Sequence, residues 1–211
     1  MSSCDLNPNV ELVAGPNVAD EVRRAIACLF RPGDVVEVRV PKAGRNGTVS
    51  GYFAVWKALL EEVQRLDNRQ FPGVYWTLNP VNPVLLGGAD NRLKRNVDAT
   101  TRDADVLHRV WLPVDLDPCR PVGISSSDAE HAAALEMACE LKSRLADEGW
   151  PSPVLADSGN GAHLLYRLDL PNDEDSAALV KQVLEALSDR HTNGTVAVDL
   201  TTYNAARIFK A

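Results

Sequence analysis

The chain has 211 residues, 45% of them apolar and 24% charged, a composition that excludes wholesale disorder and fibrous architectures and suits one large domain or two small subdomains. It contains no apolar run near the roughly 18 residues that a membrane span requires, and MSSCDLNPNVEL at the N-terminus is not a secretory signal, so no membrane partner and a cytoplasmic setting are expected. Cys4, Cys28, Cys119 and Cys139 are far apart with no CxxC, which argues against a zinc knuckle or a disulfide framework, and the net charge of −7 disfavours binding a polyanion by phosphate neutralisation alone.

Apolar residues at 18, 22, 25, 26 and 29 predict a helix over 18–30, and DVVEVRV predicts a strand over 34–40. Phe53, Trp56, Leu59, Leu60 and Val63 fall on one stripe, predicting a helix over 50–66. Pro72-Gly73 breaks the chain before a buried strand, VYWTL at 74–78, and the polar stretch 87–105, with Arg92, Lys94, Arg95 and Arg102, reads as a surface loop. A strand over 107–116 is closed by Asp117-Pro118. Ser127 and Glu130 form a capping-box pattern for a helix to about 148, with Leu135, Ala138, Leu141 and Leu145 inward. Strands over 154–156 and 163–168 flank the turn Ser158-Gly159-Asn160-Gly161. A further helix opens at 172–176 with Leu179, Val183, Leu184 and Leu187 on one face, and a strand over 195–201 follows the turn Asn193-Gly194. The order strand, helix, strand, strand, helix, strand from 107 to about 201 is a split βαβ pattern, ferredoxin-like, preceded by an N-terminal α/β portion; the class is α+β.

The sharpest feature is Val114-Asp115-Leu116-Asp117-Pro118. On a strand, Asp115 and Asp117 project from one face while Leu112, Val114 and Leu116 point to the core. Two carboxylates roughly 7 Å apart repel unless a cation lies between them, and oxygen ligands suit Mg²⁺ or Mn²⁺; the plainer alternative is a solvated strand end with a turn-forming Asp-Pro. In VAVDL at 196–200, Asp199 lies opposite Val196, Val198 and Leu200, and joins the pair if the two strands are neighbours. Three acids around two cations suit in-line attack at phosphorus, and such a site can sit in an acidic protein because the metals supply the positive charge. Gly159 and Gly161 allow close backbone approach to a ligand, with Ser158, Asn160 and His163 as further donors for phosphate oxygens, although a hairpin turn explains the same residues. Arg207 is suited to clamp a phosphate and Asn204 to bind a sugar or phosphate, against a surface arginine beside a structural turn.

Together these segments resemble the archaeo-eukaryotic primase superfamily, in particular the primase–polymerase domains of plasmids, phages and other mobile elements. The resemblance runs from Gly51-Tyr52-Phe53 through Tyr75 to Val81, Asn91-Arg92-Leu93, Trp111 to Asp117, Gly149-Trp150-Pro151, Asp157 to Tyr166, Val198-Asp199 and Tyr203 to Ile208. It implies an N-terminal α/β subdomain (1–105) packed on an RRM-like catalytic subdomain (106–211). It also implies metal ligands Asp115, Asp117 and Asp199, phosphate contacts from His163 and Ser158, and nucleotide contacts from Asn204 and Arg207. Many relatives carry a compact Ser-x-His; here Gly161 stands in the serine's place and Ser158 lies upstream. Relatives usually continue beyond the Asn-x-x-Arg stretch, often into helicase regions, so this chain is expected to be a fragment of a longer protein. The implied activity is primer synthesis or extension on single-stranded DNA from NTPs or dNTPs, with Arg92, Lys94 and Arg95 tracking template backbone. Two readings of other classes stand beside it: a noncatalytic nucleotide- or nucleic-acid-binding module, and a replication-initiator nuclease, for which the paired His-x-His is missing.

Overall fold

The alternation in Val36-Glu37-Val38-Arg39-Val40 makes β1 (Val36–Val40), with its three valines fully buried. The structure, a computed structural model, describes residues 18–67, 71, 73–121 and 123–211; Cys4 and the Pro72 of the expected break lie outside them. β1 pairs antiparallel with β2 (Val49–Phe53), so the helix expected from residue 50 begins instead as α2 (Trp56–Asp67). Two features commit 49–53 to a strand. Gly51 lies so close to the 92–93 backbone that a Cβ would stand 2.0 Å from the Arg92 carbonyl oxygen, and Ser50 and Lys94 exchange backbone hydrogen bonds of 3.0 and 2.8 Å. Phe53 still shares a core with Trp56, Leu59 and Val63, so the stripe read as one helix belongs to two elements.

α1 (Val18–Leu29) buries Val22, Ile26 and Leu29 in that same core. β3 (Tyr75–Thr77) pairs with β1, and the C-terminal β8 (Ile208–Lys210) pairs with β3, giving the order β2-β1-β3-β8. The stretch expected as a surface loop keeps Arg92, Lys94 and Arg95 exposed, but its backbone bridges to β2 at Lys94 and Asp90. On β1, Glu37 is fully buried, held by two bonds from Arg39 at 2.9 and 2.5 Å, by the Ser50 hydroxyl, and by the Thr101 N–H at 3.1 Å. Burial pushes its carboxyl up, but these donors prevail and hold it below the ordinary range.

The second sheet has the order β5-β6-β4-β7, antiparallel throughout, from β4 (His108–Pro118), β5 (Val154–Asp157), β6 (Ala162–Pro171) and β7 (Val196–Val198). α3 (Asp128–Asp147) follows β4 and α4 (Glu174–His191) follows β6. Both halves of the capping box at Ser127 and Glu130 are present, and Ala138, Leu141 and Leu145 are buried as expected, with Ala134 and Met137. In α4 the buried face carries Val180, Leu184 and Leu187 while Leu179 stays 49% exposed, a face turned by one position from the expected stripe. Leu112, Val114 and Leu116 join these helices in one core. Trp111, which by alternation lies on the opposite face of β4 from Leu112, joins the first sheet's core and donates to the Leu29 carbonyl at 3.1 Å. The helices therefore cover one face of the second sheet, and the other face turns Trp111, Asp115 and Asp117 away from them.

The strand expected over 195–201 stops at Val198. Asp199 caps a 3-10 turn, Leu200–Tyr203, and Leu200 is 41% exposed. The chain then crosses to the first sheet as β8, so residues 106–211 supply strands to both sheets. Among the described residues no helix is long and apolar enough to cross a membrane. The Gly51 contact leads to a test: Gly51→Ala is expected to lower unfolding free energy by about 1–3 kcal/mol in urea titration, because the carbonyl it would strike is backbone and cannot turn aside.

Candidate metal centre

The acidic site is assembled by strand pairing. Asp115 and Asp117 lie two residues apart on β4, where Asp115 sits opposite His163 of β6 and Asp117 opposite Ala197 of β7. Beyond β7, the Asp199 N–H donates to the Asp115 carbonyl at 2.8 Å, carrying the pairing one step further and setting Asp199 beside Asp115. The Thr202 hydroxyl donates to the Pro113 carbonyl at 3.1 Å and pins the 3-10 turn to β4. The outcome is that one carboxylate oxygen from each of Asp115, Asp117 and Asp199 lies within 4.8 Å of the others, all three residues half-buried.

Each acid has a different neighbour. Asp199 is the most engaged: its carboxylate accepts from Thr201 N–H at 2.7 Å, from the Thr201 hydroxyl at 2.9 Å and from Arg207 at 3.3 Å. Asp117 faces Arg120 at 3.8 Å. The Oδ1 of Asp115 is buried and accepts no hydrogen bond; His163 Nε2 stands 3.3 Å from it without hydrogen-bond geometry. Burial raises the Asp117 carboxyl above its ordinary range, and the charges of Asp115 and Asp199 add to this against Arg120. An all-oxygen donor set, an orphaned buried oxygen and like charges held within 4.8 Å of one another fit a hard divalent cation, so these three residues could hold a metal ion.

His163 is 7% exposed, its ring edge-on to Phe209 of β8 at 5.1 Å. The turn before it departs from the expected phosphate cradle. Ser158 N–H donates to the Gly161 carbonyl, Gly159 N–H to Asp157, and Asn160 and Gly161 N–H both to the Ser158 hydroxyl, so all four backbone donors are spent inside the turn. The Asn160 side chain is tied to Ser126, accepting from its N–H at 3.2 Å and its hydroxyl at 3.3 Å. Gly159 has φ +78°, whereas Gly161 is required by close approach, since a Cβ there would lie 2.3 Å from the Leu116 carbonyl oxygen and 3.1 Å from Asp117 Oδ1. The hydroxyl of Ser158, accepting two bonds, keeps its own proton to donate.

Residues that the sequence did not single out also line this region. Lys210 donates to the Ser158 carbonyl at 3.0 Å, bringing a positive charge from β8 to the turn. Arg120, three residues after Asp117, is half-buried against it. A basic residue three positions beyond each acidic or basic marker (Asp117 to Arg120, Arg207 to Lys210) is the one sequence cue that points to them. His131 lies 2.7 Å from Asp157 and ties α3 to the same turn. Asn204 and Arg207 are exposed beside the 3-10 turn, Arg207 on Asp199. Arg92, Lys94 and Arg95, by contrast, adjoin β2, at the opposite edge of the first sheet from β8.

No protein-family model, curated protein or solved structure matches the chain.

The burial of Asp117, reinforced by the neighbouring acids, has a measurable sign. Because the folded state raises the Asp117 carboxyl, that group costs stability as pH rises through the interval between its ordinary and raised values. Asp117→Asn is expected to stabilise the ion-free protein at neutral pH by about 0.5–1 kcal/mol, a small figure because the side chain is partly solvated. Thermal unfolding in chelator checks this. Added Mn²⁺ should then raise the Tm of the parent protein and leave the variant's unchanged, and the parent's gain should shrink as pH falls, since protons compete for Asp117.

Proposed function

We propose that the protein is a DNA primase or primase–polymerase of the archaeo-eukaryotic type, a nucleotidyl transferase that makes or extends primers on single-stranded DNA. The observation that carries the reading is the convergence of Asp115, Asp117 and Asp199 from separate segments to within 4.8 Å, with His163 against Asp115. The strand order β7-β4-β6-β5, with a helix after β4 and another after β6, supports it: this is the split βαβ order of ferredoxin-like and RRM-like domains. The first sheet packed on the uncovered face of the second suits the two-subdomain arrangement of such enzymes.

In the reaction, a 3′-hydroxyl oxygen bonds to the α-phosphorus of an incoming NTP or dNTP as the bond to pyrophosphate breaks, the hydroxyl proton passing to solvent. Asp115, Asp117 and Asp199 hold Mg²⁺ or Mn²⁺, which when bound neutralises the charge that builds on the transferring phosphoryl group and makes the attacking hydroxyl more acidic. Lys210 and the Ser158 hydroxyl at the 158–161 turn, and Arg207 on Asp199, are donors suited to phosphate oxygens of a nucleotide. Phe209 packs edge-on against the His163 ring, whose Nε2 stands 3.3 Å from Asp115 Oδ1 beside the acids. Three strand intervals, about 14 Å, separate β2 from β8. Template backbone bound at Arg92, Lys94 and Arg95 would run along the β2 edge of the first sheet, the edge opposite β8.

The test is incubation with single-stranded DNA, labelled NTPs or dNTPs, and Mg²⁺ or Mn²⁺. The parent protein is expected to yield template-dependent products, and Asp115→Ala with Asp117→Ala to lower their rate by at least about 10³-fold. Unchanged synthesis by the double variant would refute the mechanism; nucleotide binding without incorporation would favour a noncatalytic binding module.

A further inference from the structure

The first sheet carries a cavity that the reaction above does not use. It lies at the β2 edge, between the last turns of α2 and the 91–97 segment, and its volume is about 150 Å³, space that admits one six-membered ring. Val49, Leu66, Phe71 and Leu93 form its apolar wall, with Val49 and Leu66 buried and Phe71 and Leu93 half-buried against the same core. The wall is fixed by backbone. Asn91 Oδ1 accepts from the Ala54 and Val55 N–H groups at 2.9 and 2.8 Å, Lys94 pairs with Ser50, and the Val97 N–H donates to the Thr48 carbonyl at 3.1 Å. The 91–97 segment is thus tied to β2 at both ends and in the middle, so the cavity is formed before any ligand arrives.

The cations of the segment divide here. Leu93 and Arg95 line the cavity, and Arg92 and Lys94 do not, as alternation about the Lys94 bridge requires. Glu62, Arg65 and Arg95 complete the lining, both arginines exposed. Glu62, its one carboxylate, is spent on Arg65 at 2.5 Å, whereas Arg95 forms no hydrogen bond or ion pair among the described residues. An apolar slot of one-ring size, with an aromatic residue in its wall, therefore opens beside two guanidinium groups in a chain of net charge −7. What fits is a flat apolar ring joined to an anion. A nucleobase on its strand has both, a π-face for Phe71 and flanking phosphates for the arginines. A backbone phosphate alone leaves the apolar wall unused, and a peptide carboxylate brings no ring.

We propose that this cavity is a base slot for single-stranded nucleic acid: one unpaired base enters against Phe71 and Leu93 while Arg65 and Arg95 hold the phosphates beside it. The slot adds to backbone tracking a contact of a different kind, because it holds a base and so excludes a duplex, whose bases are stacked out of reach. Binding of a single strand follows from the slot and its two arginines; that this strand is the template of a primase rests on the function proposed above.

The test is fluorescence anisotropy of the whole chain in EDTA, with a labelled oligothymidylate and an abasic phosphodiester of the same length as probes. The parent is expected to bind the oligothymidylate about tenfold more tightly than the abasic strand. Phe71→Ala should erase that difference, and Arg95→Gln should weaken both strands and lower the salt dependence by about one counterion. Should Phe71→Ala fail to fold, the parent itself decides: irradiated with a 5-iodouracil-substituted oligomer, it should crosslink at Phe71, located by peptide mass spectrometry. Equal affinity of the parent for both strands, a preference undiminished in Phe71→Ala, or crosslinks only at residues outside the cavity overturns the proposal. Failure here leaves the catalytic reading standing, because no metal or turnover is involved, and the protein carrying Asp115→Ala with Asp117→Ala should keep the preference.

Discussion

Like charge held at short range is the constraint on which this architecture depends. Asp115, Asp117 and Asp199 would separate if only their side chains mattered, since each gains by moving into water. Backbone pairing prevents it. β4 lies between β6 and β7, the Asp199 N–H is bonded to the Asp115 carbonyl, and the hydroxyl of Thr202 pins the turn beyond. The apolar residues between the acids, Val114 and Leu116, anchor the same strand in the α3–α4 core. Packing on one face thus supports repulsion on the other, an arrangement expected where a cation, and not a neighbouring side chain, is to complete the charge balance.

The counter-charges are distributed unevenly. Arg207 bonds Asp199 and Arg120 faces Asp117, whereas the buried oxygen of Asp115 meets only an ill-aligned imidazole. That asymmetry makes Asp115 the acid with most to gain from an incoming ion. It also gives β8 its importance. This three-residue strand at the edge of the first sheet brings Phe209 onto His163 and Lys210 onto the Ser158–Gly161 turn, so the two sheets meet at the site through the end of the chain.

Much of this was legible in the sequence. Alternation fixed the direction of Asp115 and Asp117, because a strand with Leu112, Val114 and Leu116 inward leaves no other face for them, and Val196 and Val198 marked the partner strand that delivers Asp199. Other features were hidden because they depend on distant backbone. Residues 49–53 carry a helix-like apolar spacing, and it takes their pairing with β1 and the contact of Gly51 with the 92–93 segment to make them a strand. Asp199 ends its strand through bonds from Thr201, which a period-two pattern does not register. The Gly-rich turn satisfies its own N–H groups through Asp157 and Ser158, so its composition suggested an anion cradle that its hydrogen bonding does not offer. β8 is too short to carry a pattern.

The most direct measurement of the central claim is anomalous diffraction from crystals grown with Mn²⁺. Anomalous density enclosed by Asp115, Asp117 and Asp199 is expected, with Asp115 Oδ1 among the ligands. Saturating Mn²⁺ with no density among these three carboxylates, or an ion bound only elsewhere, would contradict it.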